Sequence, residues 1–136
     1  MPNLLRFIVL AGVVTFAGCS SPTEEMKPLV QEGAELQLVS DQFKFAEGPA
    51  SDRSGDIYFT DQPNDAIWKW SPDGGLTLFM DSSGRSNGLY IDDEGYILSA
   101  ADLNNELWRI DTKDKTHEVL LDNWNGMKYN GPNDRS

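Results

Sequence analysis

Cysteine and histidine are almost missing from this sequence, with one of each in 136 residues. Structural zinc sites need several such ligands, so a zinc finger or a histidine-rich metal centre is excluded. Positive charge is scarce as well. Eleven Lys and Arg face 22 Asp and Glu, a formal charge of −11, and no basic cluster interrupts the excess. A nucleic-acid binder needs a basic face to displace counterions from phosphates, so no nucleic-acid partner is expected. The chain also has no HExxH, no GxxxxGK(S/T) and no GxSxG. Asp92-Asp93-Glu94-Gly95 lacks the alternating ligands of an EF-hand loop. After residue 19 no window sustains a 3.6-residue apolar period, which excludes a helical architecture. What is there is globular: 39% apolar and 24% charged residues, with 7 Pro and 12 Gly. The length allows one small domain.

The first 19 residues stand apart. Arg6 gives a positive start, Phe7–Phe16 is a largely apolar run, and Ala17-Gly18 places small residues before Cys19. That run is too short to cross about 30 Å of hydrocarbon as a helix. It suits the h-region of an export signal. Phe16-Ala17-Gly18-Cys19 resembles a bacterial lipobox, with Phe16 where Leu is more usual. Cleavage before Cys19 and lipidation of its thiol are therefore expected, which also accounts for an unpaired cysteine in an exported chain. The alternative is an ordinary secretory signal cut near Ala17, leaving a free thiol. The expected location is the cell envelope, on its periplasmic or extracellular side, with the lipid as the only tie to a membrane. Residues 1–18 are read as the signal and 19–35, from Cys19 through the polar Ser20–Glu35 stretch, as an acylated tether. Residues 36–136 are read as the folded part. The cleaved chain keeps 136 − 18 = 118 residues with a side-chain charge of 10 − 22 = −12.

From Leu36 onward short alternating runs are divided by turn residues. Asp56–Asp61, Ala66–Trp70 and Leu76–Met80 are β-rich, and Asn64-Asp65 and Ser71–Gly75 read as tight turns between them. The same order then recurs. Asp52, Gly55, Ile57, Ile67, Trp68 and Lys69 return 40 residues later as Asp92, Gly95, Ile97, Leu107, Trp108 and Arg109. Leu78–Asp81 returns as Val119–Asp122, at 41. A period near forty with four short strands per unit points to β-propeller blades. The plainer alternative is two unrelated meanders with similar turns. Trp68 and Trp108, matched within the repeat, are read as packing residues between blades. Two blades do not close a propeller, which takes about four to eight. A third unit opens at Asn133-Asp134, so the chain is expected to be the front portion of a longer protein.

Four motifs carry a resemblance to a family: Phe45-Ala46-Glu47-Gly48-Pro49, Asp56–Asp61 (DIYFTD), Ser86-Asn87-Gly88-Leu89 and Asn130-Gly131-Pro132-Asn133-Asp134. In this order and spacing they resemble the senescence marker protein / gluconolactonase / luciferin-regenerating-enzyme-like family. The resemblance implies an all-β, six-bladed propeller, of which this chain supplies roughly the first two blades and the start of a third. It implies a divalent metal in the central channel, Ca²⁺ most of all, with Zn²⁺ or another divalent as the alternative. It implies hydrolysis of a sugar lactone or a related ester. By the same resemblance Glu47 is a metal ligand, and Asn133 matches an asparagine that binds metal or substrate.

The repeat supplies a separate reason to look there. A shift of 40 carries Glu47 onto Asn87, and Asn133 opens the third unit, so three oxygen-bearing side chains share one place in the repeat. A hard cation takes such oxygens. In the plainer reading Glu47 binds backbone amides and the asparagines serve turns. Asn87 is read as facing the channel and the substrate. The remaining ligands and the catalytic base are expected in later blades, leaving the 136-residue chain inactive alone. His117 is read as a surface residue, and Asp61, Asp102 and Lys128 as turn or solvent residues. A non-catalytic envelope propeller that binds a ligand or partner stays open beside the enzyme, as does a non-functional fragment.

Overall fold

The computed structural model describes residues 28–133. Cys19, the signal, most of the tether and Asp134 lie outside them. Of the unit that ends at Leu36, residues 28–36 are described; they carry no strand, and the Ala34 amide donates to Gln31 O at 3.0 Å.

In residues 37–133 the turns decide where strands stop. Asp52 Oδ1 accepts the amides of Ser54 and Asp56, the Gly55 amide donates to Asp52 O, and Gly55 takes φ +85°. Forty residues on, Asp92 Oδ1 accepts the amides of Glu94 and Tyr96, and Gly95 takes φ +89°. These are Asx turns closed by a residue that reaches positive φ without a Cβ penalty. Asp65 and Asn105, also matched at 40, hold the next corner at φ +53° and +60°. Between the corners lie β1 (Ala46–Ser51), β2 (Ile57–Asp61), β3 (Ala66–Ser71) and β4 (Gly75–Asp81). They form one antiparallel sheet in that order. β5 (Ser86–Ile91), β6 (Ile97–Ala101), β7 (Glu106–Ile110) and β8 (His117–Leu121) form a second in the same order. The irregularities repeat too. The ladder shifts between Glu47 and Ala50 and again between Ser86 and Leu89; it shifts at Ile67/Trp68 and again at Leu107/Trp108.

Alternation sends Tyr58, Thr60 and Ile67 to one face of the first sheet and Ile57, Phe59, Trp68 and Trp70 to the other, as the β2–β3 pairs require. The first of these faces meets the second sheet. Tyr58, Ile67 and Phe79 pack with Ile97, Ala101, Trp108 and Ile110 in one buried cluster. Tyr58 and Phe79 meet edge to face at 5.0 Å. Each fully buried Ile of this kind is worth about 1.5–3 kcal/mol. The core therefore lies between the two sheets.

Two expectations need correction. Strand structure begins at Ala46, not Leu36; Leu36 and Leu38 are exposed and residues 37–45 run without a strand. Their backbone is fastened by a side chain instead, as described below. Trp108 lies between the sheets, but Trp68 does not. It sits on the outward face of the first sheet, where Phe43 crosses it edge-on at 5.4 Å. Between the second sheet and the corner at Asn133, β9 (Asn123–Trp124) and β10 (Met127–Lys128) pair around Asn125-Gly126, both at positive φ. Asn-Gly between two pairing residues is a strong hairpin signal that was present in the sequence. Among the described residues the architecture is two four-stranded sheets and a ribbon, with no α-helix.

Candidate functional site

The site is organised where β1 and β5 run side by side. Glu47 is the second residue of β1 and is half-buried. Gly48 follows at φ +57°, and a Cβ built there would fall on the Asn87 carbonyl oxygen and within 2.9 Å of the Gly88 α-carbon. Only glycine allows the two strands this approach. The buried Thr60 hydroxyl reaches both carbonyls, 3.1 Å from Glu47 O and 3.0 Å from Asn87 O. It ties the two matched positions together through one side chain of β2.

The third position joins from the C-terminal side. The Gly88 amide donates to Asn133 O at 3.0 Å, and Asn87 Nδ2 donates to Pro132 O at 3.1 Å. The Gly131 amide donates to Asn105 Oδ1 at 2.7 Å, which fixes the approach of this segment. Glu47, Asn87 and Asn133 thus occupy three adjoining stretches of backbone. Asn87 is 9% exposed and directs its amide nitrogen to the next stretch, whereas Asn133 is exposed. The sequence reading did not anticipate that Asn87 holds its neighbour through its side chain.

Asp61 is the residue that sequence reasoning misplaced. It is buried, not a solvent or turn residue. Its carboxylate accepts the amides of Lys44 and Phe45 at 3.1–3.3 Å and Asn64 Nδ2 at 2.6 Å. That grip sets how the chain enters β1, two residues before Glu47. A buried carboxylate that accepts backbone amides is well compensated. The only sequence signal was its place at the end of the DIYFTD run, beside Asn64.

His117 and Lys128 lie away from this corner, whereas Asp102 stands beside the segment that enters it. His117 is exposed on β8 and stacks on Trp108, with ring centroids 3.7 Å apart. Lys128 is exposed on β10. Asp102 lies between β6 and β7, and its carboxylate stands 3.3 Å from where a Cβ of Gly131 would be. On the inner side of the first sheet Lys69 is paired with Asp56. Hydrogen bonds from Lys69 and Ser71 hold the Asp56 carboxyl below its ordinary 3.8, and the Asp56 contact raises Lys69 above 10.5. Burial pushes the neighbouring Tyr58 phenol up.

A hard divalent cation takes six to eight oxygens. Glu47 and Asn133 have the donor chemistry for it but cannot fill its shell. Among the described residues no group of three or more His, Cys, Asp or Glu side chains is placed to hold a metal.

The comparisons with known proteins bear on the family and the fold. Residues 45–136 match the family model for the SMP-30/Gluconolactonase/LRE-like region. The gluconolactonase of Zymomonas mobilis subsp. mobilis is 26% identical over 113 residues, which cover 73% of this chain and 32% of that protein. A solved structure described as a candidate gluconolactonase is 30% identical and superposes with a TM-score of 0.71, over 76% of this chain and 36% of its own. A Xanthomonas campestris gluconolactonase, 24% identical with a TM-score of 0.66 over 71% of this chain and 32% of its own, shares the fold. The chain spans about a third of the length of these relatives. With its family region beginning at Phe45 and taking in both sheets and the Glu47–Asn87–Asn133 corner, the chain belongs to the SMP-30/gluconolactonase/LRE-like family.

Proposed function

We propose that this protein, together with the sheets its longer relatives carry, is a metal-dependent hydrolase of a sugar lactone or related ester. Membership of the family supports the reaction class. The observation that carries the site is the convergence of Glu47, Asn87 and Asn133, equivalent in the repeat, on adjoining backbone tied by Thr60 and Gly88. In this reading six blades close around a channel, and the starts of their inner strands face it.

Glu47 and Asn133 would hold the cation, Ca²⁺ before Zn²⁺ or another divalent. When bound, the cation supplies Lewis-acid polarisation of the scissile carbonyl. The chain's own residues do the rest of what is present here. Glu47 brings a negative oxygen into a half-buried place, where charge is less screened than in water. Asn87 keeps the 131–133 segment against β5, and Asn87 and Asn133 offer amide groups to the hydroxyls of a neutral polyhydroxy substrate. The catalytic base belongs to the later blades. Lipidated Cys19 would hold the protein at the cell envelope.

The test is Glu47→Gln in a chain extended to its relatives' length, with calorimetric Ca²⁺ titration and a gluconolactone pH-stat assay. Gln keeps the size and one oxygen, so we expect the fold to survive while Ca²⁺ affinity falls at least tenfold and turnover drops with it. Unchanged binding and turnover would reduce Glu47 to a structural residue. Metal-dependent turnover by the 136-residue chain alone would show that later blades are not needed. Sugar binding without any turnover would favour a ligand-binding propeller.

A further inference from the structure

Two residues before each of the three site positions stands a backbone amide that a side-chain oxygen holds. Phe45, Arg85 and Gly131 precede Glu47, Asn87 and Asn133 in this way and keep their spacings of 40 and 46. The Phe45 amide donates to Asp61 Oδ1 at 3.1 Å, the Arg85 amide to Asp65 Oδ1 at 2.5 Å and the Gly131 amide to Asn105 Oδ1 at 2.7 Å. All three acceptors lie at the corner between the second and third strands of a sheet. Asp61 closes β2, Asp65 stands just before β3 and Asn105 just before β7. The last two are equivalent in the repeat and share a left-handed backbone, at φ +53° and +60°.

The backbone explains why these amides need such partners. Pairing in the second sheet begins only at Ser86, so the Arg85 amide must find its acceptor elsewhere. Arg85 takes φ +50° and Gly131 φ +58°, and for Arg85, which carries a Cβ, that conformation is unfavourable without support. Asp65 supplies the support from both ends of its residue. Its Oδ1 also accepts the Ser83 hydroxyl at 3.1 Å, and its carbonyl oxygen accepts the Ser83 amide at 3.0 Å. Asp65 of the first sheet therefore fastens the entry to β5, and Asn105 of the second fastens the segment that ends at Asn133. One is a carboxylate and the other an amide, so what they share is an acceptor and not a charge.

We propose that Asp65 and Asn105 are positioning residues of the cation site, each acting through the backbone of the segment it holds. Both lines of support end at Asn133. Asn105 fixes Gly131 directly, two residues before it. Asp65 fixes the start of β5, from which Asn87 Nδ2 donates to Pro132 O and the Gly88 amide to Asn133 O. Asn133 is itself exposed, so its place is set by this backbone and not by packing of its side chain. A cation binds well only where its oxygens already stand at the right distance, and the groups that orient the ligands govern affinity with them. The inference rests on the metal-site reading of this corner.

The test uses a chain extended to its relatives' length, with calorimetric Ca²⁺ titration, hydrogen–deuterium exchange and urea unfolding. Asp65→Gly and Asn105→Gly remove the oxygen while glycine keeps the positive φ. Asp65→Asn and Asn105→Asp retain the acceptor. Asp92→Ala removes a comparable acceptor beyond the far end of β5, where Oδ1 holds the amides of Glu94 and Tyr96. Asn105→Gly is expected to weaken Ca²⁺ binding about tenfold, and Asp65→Gly by a smaller factor. Exchange is expected to quicken around residue 131 in the first and around residue 85 in the second. Asp65→Asn and Asn105→Asp are expected to bind Ca²⁺ as wild type does, and Asp92→Ala to lose stability with its affinity unchanged. Should one glycine variant unfold, the other makes the same comparison at its own segment. Glycine variants that bind Ca²⁺ like wild type would overturn the proposal, as would an equal loss of affinity in Asp92→Ala. If wild type binds no Ca²⁺, the metal-site reading fails and exchange alone decides: quickening confined to the two segments upholds the positioning role, and its absence overturns it.

Discussion

A Cβ built on Gly48 would stand 2.4 Å from the backbone carbonyl oxygen of Asn87, so the two sheets meet at a point where no side chain fits. This contact joins the start of β1 to the start of β5 and places Glu47 beside Asn87. It requires both a positive φ and an absent Cβ.

Gly48→Ala should therefore cost more than a glycine substitution elsewhere. Gly75, at φ +67° with nothing within 4 Å of a built Cβ, isolates the backbone strain alone. We expect about 1 kcal/mol for Gly75→Ala from left-handed strain, and about 3 kcal/mol for Gly48→Ala once the clash is added. Urea denaturation of the two variants measures the difference. Equal losses would mean that the strands separate without cost.

The two matched tryptophans should respond differently to Phe. Trp108 Nε1 donates to Glu106 Oε2 at 2.6 Å. Trp68 Nε1 is buried without a partner among the described residues, because the position equivalent to Glu106 is Ala66. Both substitutions lose volume, but only Trp108→Phe loses a hydrogen bond to a charged group. We expect Trp108→Phe to destabilise by about 2 kcal/mol more than Trp68→Phe, read from thermal or urea unfolding. A smaller loss at Trp108 would sink the assignment.

Acid stability should depend on Lys69. The folded-state value of Asp56 lies below its ordinary 3.8, chiefly through the hydrogen bond from Lys69. A depressed carboxyl stabilises the fold above its unfolded value and loses that contribution as pH falls through the folded one. The Lys69 side of the pair is raised above 10.5, so its contribution is present below 10.5 and is lost as pH rises past the folded value. Between these limits the pair contributes fully. Lys69→Met should flatten the decline in stability below pH 3.8 relative to wild type, and titration of unfolding free energy from pH 5 to 2 checks it. Asp114, lowered by Thr116, remains as a shared background in both proteins.

Cys19 should carry the lipid. Labelling cells with an alkyne fatty acid is expected to mark wild type and not Cys19→Ser, with the wild type in the membrane fraction. Equal labelling of both proteins would return the leader to an ordinary export signal.

Much of the fold was legible because the forty-residue repeat is written in local chemistry. Asp52-x-x-Gly55 and Asp92-x-x-Gly95 make the same Asx turn, and turns of this kind depend on residues within five positions of one another. The alternation of Ile57, Tyr58 and Phe59 could say that two faces exist, but not which one a second sheet covers. Trp68 and Trp108 are equal by sequence, yet Trp108 lies between sheets and Trp68 on an outward face, because among the described residues only Trp108 has a second sheet packed against its face.

The motifs named Glu47, Asn87 and Asn133, since equal places in a repeat converge whatever the details of packing. The sequence by itself determined the strand order, the turn positions, the acidic surface and the family. Only the tertiary structure decided the rest. Asp61 became a buried clamp by accepting amides 16 and 17 residues earlier, and Asn87 became a link by donating to Pro132, 45 residues later. Such bonds join positions far apart in the chain, and their partners are chosen by how two sheets pack, a relation that no window of neighbouring residues contains.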